Sequence, residues 1–167
     1  MGHGTGDVHA TARTLLFETL EAAGLEVEQV REDRWMTQLS GEWKRTIPVL
    51  LHLDERSLRV RSLFCGPPDE RHDEVYGLLL HRNERPVPVH FALDDDGAVL
   101  LLGQVPLAAL DAAALDELLG AVLAVSDETF NAVLRAGFAS YLAHEQAWRE
   151  AAGLPPNPIG APAPEQD

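Results

Sequence analysis

Hydrophobic positions recur at helical spacing from Asp7 to Ala23, where Val8, Ala12, Leu15, Leu16, Leu20 and Ala23 share one face. Asp7 stands where an N-cap is expected and Gly24 where a helix stops. The period then changes to two. Arg34–Leu39 predicts a short strand, and Thr46–Leu53 a stronger one with Ile47, Val49, Leu51 and Leu53 on one side. Asp54-Glu55-Arg56 reads as a turn. Ser57–Cys65 follows, with Leu58, Val60 and Phe64 alternating against Arg59 and Arg61, so an antiparallel hairpin is expected.

Gly66-Pro67-Pro68 interrupts this pattern. Asp69, Glu70, Asp73 and Glu74 then fill the first turns of a second helix, where carboxylates complement the helix dipole, and the helix runs to about Arg82. Its apolar sector, with Val75, Leu78, Leu79 and Leu80, is wider than one packed face requires. Val87–Leu93 alternates again, and Asp94-Asp95-Asp96-Gly97 is a hairpin turn signal. Ala98–Val105 is continuously apolar up to Gly103, which predicts a central strand covered on both faces. From Asp111 a long helical stripe runs through Leu115, Leu118, Val122, Val125, Phe130 and Val133, with Ser126-Asp127 as a candidate internal break. The order is helix, three strands, helix, two strands, long helix (α-β-β-β-α-β-β-α), an α+β class with an antiparallel sheet. A single domain is expected over 1–152, with a disordered Pro/Gly/Ala-rich tail over 153–167.

Composition narrows the function. The 167 residues carry a formal net charge of −14, which disfavours nucleic acid and anionic membrane surfaces as partners and favours basic or mixed protein surfaces. No apolar run approaches the roughly 20 residues that span a bilayer. The first residues lack a basic stretch followed by an apolar segment, so no secretory leader is expected. The lone Cys65 excludes an intrachain disulfide framework and fits a cytoplasmic location. Lys44 is the only lysine among 13 Lys and Arg residues, as codon usage in a GC-rich, actinobacterial genome would give.

Candidate chemistry is sparse. Cys65 closes a strand before Gly66 and reads as a small structural hydrophobe. His72 and His81 point to opposite faces of their helix. His52 and His90 each oppose their strand's aliphatic face, so they read as half-exposed strand histidines or, as neighbours across the sheet, as a metal or small-molecule site. The Asp94–Asp96 run lacks the alternating ligands and closing acid of a calcium loop. Gly2-His3-Gly4-Thr5-Gly6 has no preceding strand and no Lys-Ser, so it is not a phosphate loop. No catalytic constellation emerges, and neither a cofactor nor a metal is expected. Arg59 and Arg61 share the face opposite Leu58 and Val60. They form either a docking stripe for an acidic partner or a solvated face paired with Glu42, Asp54 and Glu55.

Three stretches, RTIPVLLHLDERSLRVRSLFCGPPDERHDEVYGLLLHRNER, VHFALDDDGAVLLLGQVPL and LDELLGAVLAVSDETFNAVLRAGFASYL, cover most of Arg45 to Leu142. In this order they resemble the YbjN-domain family of bacterial proteins, whose fold is similar to class I type III secretion chaperones. The resemblance implies a non-enzymatic protein linked to stress or sensory regulation. It also implies a small acidic homodimer that binds a protein or peptide partner, with dimerisation through the second helix and neighbouring strands; the wide apolar sector Val75, Tyr76, Leu78, Leu79 and Leu80 is independently compatible with that. The alternative for that helix is burial between the sheet and the last helix.

Overall fold

A computed structural model of the chain describes residues 4–159, with side chains from Val8 onward. The elements in order are α1 (Gly4–Ala22), β1 (Glu28–Arg31), β2 (Arg34–Leu39), β3 (Ile47–Leu53), β4 (Ser57–Cys65), α2 (His72–Arg82), β5 (Val89–Leu93), β6 (Val99–Pro106), a 3-10 turn at Leu107–Ala109, α3 (Ala112–Gly137) and α4 (Ala139–Ala151). The α+β class is as expected, with two additions. A short edge strand, β1, precedes the expected three. The long C-terminal helix divides into α3 and α4. Helix α1 already includes Asp7, so that residue is not its N-cap, and the side chain of Asp7 lies outside the described residues.

All strand pairs are antiparallel, in the order β1-β2-β3-β4-β6-β5. The chain leaves β4, crosses by α2 to the far edge as β5, and returns as β6 into the gap between them. Both turns that set the register are Asp-based. Asp54 accepts from the Arg56 N–H at 3.2 Å, and Asp94 Oδ1 accepts from the N–H groups of Asp96 and Ala98 at 3.0 and 2.9 Å.

Alternation along the strands splits the sheet into two faces. Ile47, Val49 and Leu51 of β3, Leu58, Val60 and Phe64 of β4, and Val99 and Leu101 of β6 are buried beneath the helices. Phe64 anchors the centre, edge-on to Phe91 of β5 at 5.1 Å and to Phe130 of α3 at 6.2 Å. Helix α1 adds Leu16 and Leu20 to the same core and sets Phe17 edge-on to Trp35 at 5.6 Å. Among the described residues, the opposite face carries no helix. Strand β6 is central, as expected, but its second face is covered only in part: Leu100 is buried there, Leu102 half-buried and Gln104 exposed.

Helix α3 is unbroken through Ser126-Asp127. Asp127 serves a distant loop instead of a new cap: its Oδ1 accepts the N–H groups of Trp43 and Lys44, each at 2.8 Å. Gly41 is required beside it, because a Cβ there would overlap the carboxylate. The break falls at Phe138, where residues before α2 take over the end of α3. The Arg71 guanidinium donates to the carbonyls of Ala136 and Arg135 at 3.1 and 3.2 Å, and the N–H groups of Asp69 and Glu70 donate to that of Gly137. Gly137 permits this close approach, since a Cβ would stand 2.9 Å from Val75 Cγ2. Glu70 then accepts the Ser140 N–H at 2.7 Å and starts α4. That bond holds the Glu70 carboxyl below the usual carboxylate range. Residues 153–159 fold back on α4, with Asn157 Nδ2 donating to Glu145 at 2.9 Å; the remaining tail residues, 160–167, lie outside the described residues.

Candidate functional site

Among the described residues, two surfaces outside the core combine a groove with candidate binding side chains. The first is the open face of the sheet. Cross-strand registers line up two rows there. One runs Arg34 (β2), His52 (β3), Arg59 (β4), Gln104 (β6), and the next runs Leu50 (β3), Arg61 (β4), Leu102 (β6), His90 (β5). Together they line a shallow groove of about 720 Å³, and no carboxylate lines it. Arg59 pairs with Asp54 at 2.7 Å and Arg61 reaches Asp94 at 3.9 Å, both from side chains more than half exposed. Exposed pairs of this kind hold their partners weakly, leaving donor capacity for an incoming group.

His52 and His90 are in this groove but are not neighbours. Three strand spacings separate β3 from β5, roughly 14 Å at about 4.8 Å each, and the two residues stand in different rows. Imidazoles sharing a metal must come within roughly 2 Å of it, so the alternative of a shared site is ruled out and the reading as separate strand histidines, His52 half-buried and His90 exposed, stands. Among the described residues, no group of three or more His, Cys, Asp or Glu side chains is placed to hold a metal ion.

The second surface lies between α2 and the edge strand β5. Here the expected interface must be corrected. Val75 and Leu79 face inward and are buried in the core against α3 and the sheet, so a partner cannot reach them without opening the molecule. Leu78 and Tyr76 are half-buried against that core, and Leu80 points outward at 69% exposure. Tyr76 and Leu80, with Leu93 of β5, line an apolar groove of about 300 Å³. Asn83 closes the strand edge beside it. Its amide accepts the Phe91 N–H at 2.7 Å and donates to the Phe91 carbonyl at 3.0 Å. An added strand would need those same backbone groups, so β5 is protected against strand addition at this point. The groove offers side-chain burial rather than backbone pairing.

Cys65 is free and half-buried, with its thiol pushed up to about 11 by burial against the opposing charge of Lys44. Lys44 lies over the Phe130 and Phe64 rings at 5.0 and 5.8 Å, and its own pKa is lowered by burial. Both serve the joint between the β2–β3 loop and α3. Among the described residues no helix is long and apolar enough to cross a membrane. Sequence reading missed Asn83 and Arg34 as surface determinants. The placement of Arg34 opposite His52 follows from strand pairing, which alternation alone does not reveal.

Comparison with known proteins agrees with this architecture. The sequence profile of the YbjN family, described as "Putative bacterial sensory transduction regulator", matches residues 12–135. The uncharacterized protein Rv0487 of Mycobacterium tuberculosis is 42% identical over 118 residues, which are 71% of this chain and 64% of that protein. The uncharacterized protein ML2442 of Mycobacterium leprae is 37% identical over 120 residues, 72% of this chain and 65% of that protein. The matched region therefore spans less than two thirds of the length of these relatives. Among solved structures, a chain of the HopA1–SchA chaperone–effector complex superposes with a TM-score of 0.54 at 13% identity, covering 71% of this chain and 91% of its own. A chain of the complex between the Yersinia pestis type III secretion chaperone SycH and a stable fragment of YscM2 gives 0.50 at 19% identity, covering 69% and 96%. At such identities the likeness is one of fold, and the fold is that of the type III secretion chaperones.

Proposed function

The chain belongs to the YbjN family, and from that premise we propose that it is a non-enzymatic adaptor that binds other protein chains and works as a cytoplasmic homodimer. The observation that carries the reading is Leu80. It is a large aliphatic side chain 69% exposed on a helix whose inner face is already packed, and it lines an apolar groove next to a strand edge that Asn83 has closed. Contiguous exposed apolar surface of this kind marks an interaction site. A second copy applying the same groove would bury Tyr76, Leu80 and Leu93 isologously. The open sheet face, with Arg59 and Arg61, is then left for a different partner. The unpaired thiol of Cys65 suits a reducing compartment.

Light scattering at micromolar concentration tests the dimer. The expected mass is twice the 18.2 kDa of the chain. Leu80→Asp is expected to halve it while leaving the far-ultraviolet circular dichroism unchanged, because Leu80 contributes nothing to the core. A monomeric parent protein sinks the homodimer.

A further inference from the structure

We infer that the open face of the sheet binds a short, extended segment of a partner protein that turns acidic residues at alternate positions, flanked by apolar ones on the same side, toward the sheet; this rests on the adaptor reading and names the chemistry of the partner. The groove is cationic on a molecule that is otherwise strongly acidic. Arg34, Arg59 and Arg61 converge in it with His52 and His90, and among the described residues no Asp or Glu lines it, although the chain carries 27 of them; Asp54 and Asp94 reach Arg59 and Arg61 from the adjoining turns, as exposed pairs that an incoming carboxylate can displace. At physiological salt, charges are screened beyond roughly 8 Å. The groove therefore attracts carboxylates that reach it, while the surrounding negative surface repels a partner acidic throughout. A short acidic stretch in an otherwise mixed chain satisfies both conditions.

The spacing selects an extended segment. Arg59 and Arg61 are two residues apart on β4, about 6.8 Å, which is also the repeat of same-side side chains in an extended peptide. Acidic residues at alternate positions therefore meet both guanidiniums, while apolar side chains flanking them on the same side of the segment meet the exposed Leu63 and, beside Arg61, Leu50 and Leu102. The groove crosses strands β2, β3, β4, β6 and β5, too broad and shallow to enclose a small anion as ligand pockets do.

Fluorescence anisotropy with a labelled synthetic peptide of about twelve residues tests this, with Glu at two successive same-side positions, Leu at the same-side positions flanking them and Ser at the positions between. We expect saturable binding that weakens as salt is raised. The same peptide with Gln for Glu is expected to bind at least about tenfold more weakly, and the Arg59→Gln, Arg61→Gln double variant to lose a similar factor toward the Glu peptide with its melting temperature retained. Equal affinity for the Glu and Gln peptides, or no loss in the variant, overturns the proposal. If the Gln peptide still binds and Leu80→Asp abolishes that binding, the adaptor reading survives with the apolar groove as its site. If no peptide binds at all, the adaptor reading falls too. Displacement of the Glu peptide by low-millimolar inorganic phosphate would make this a small-anion site, and a change in oligomeric mass in the double variant would make the occupant a second copy; either result overturns the proposal.

Discussion

The two faces of the sheet are built from alternate residues of the same strands, yet they do opposite things. On β4, Leu58, Val60 and Phe64 point into the helical layer while Arg59, Arg61 and Leu63 point away from it. On β6, Leu101 is buried under the helices and its neighbour Leu102 lines the open groove. Helices α1, α2 and α3 pack on one side, so burial energy is collected there and the other side is largely released from that demand. A residue's contribution to stability and its contribution to binding can therefore change completely from one position to the next. The most direct way to test the division is to remove the same side chain on both faces of one strand. Leu101→Ala leaves a cavity in a core position with 0% exposure and is expected to cost about 2–5 kcal/mol. Leu102→Ala removes a side chain that is only partly covered and leaves no enclosed cavity, and it is expected to cost about 1 kcal/mol. Urea unfolding with unchanged m-values measures both. Equal costs would mean that the open face is covered in solution.

A smaller effect is expected where helix α3 holds the loop between β2 and β3. Asp127→Ala removes one carboxylate oxygen that accepts two backbone N–H groups, and orphans those donors in a partly buried setting. A loss of about 1–3 kcal/mol is expected, with faster hydrogen exchange at the Trp43 and Lys44 amides. If exchange quickens elsewhere instead, Asp127 is not the clasp. This loop joins the strands that carry Arg34 and His52, so loosening it also disturbs one end of the open face without touching any groove residue.

Asp127 also shows where sequence reading reaches its limit. A Ser-Asp pair inside a helical stripe carries a local capping signal, but the groups that Asp127 satisfies lie more than 80 residues earlier in the chain. The true break at Phe138 is likewise set at a distance, by Arg71 and Glu70. Strands β2 and β4 were legible to the residue, because each has a buried side to alternate against. Strand β1 was not, because all four of its residues are exposed and an edge strand of that kind has no period to read. The same reasoning divides the candidate site. Alternation correctly places His52, Arg59, Arg61 and His90 on aliphatic-opposed positions. It is silent on strand order, so only the structure, with β6 inserted between β4 and β5, rules out the alternative in which the two histidines are neighbours. On α2 the breadth of the apolar sector was legible, but the pattern did not show that Val75 and Leu79 belong to the core and Leu80 to the surface.

The smallest expected effect on stability belongs to the residues with the largest proposed role in binding. Arg59 and Arg61 have side chains 58% and 55% exposed, and their pairs with Asp54 and Asp94 stand at rims where water competes for both charges. Pairs in that position contribute roughly 0–1 kcal/mol, and part of that is returned as side-chain entropy when the pair is removed. The Arg59→Gln, Arg61→Gln variant should therefore unfold within about 0.5 kcal/mol of the parent. Calorimetry would read this as a change in melting temperature of roughly 2 °C or less for a chain of this size. A larger loss would assign these arginines to holding the two turns, and the open face would then be structural like the packed one. Retained stability together with lost affinity for the acidic peptide would separate the faces by function as cleanly as Leu101 and Leu102 separate them by burial.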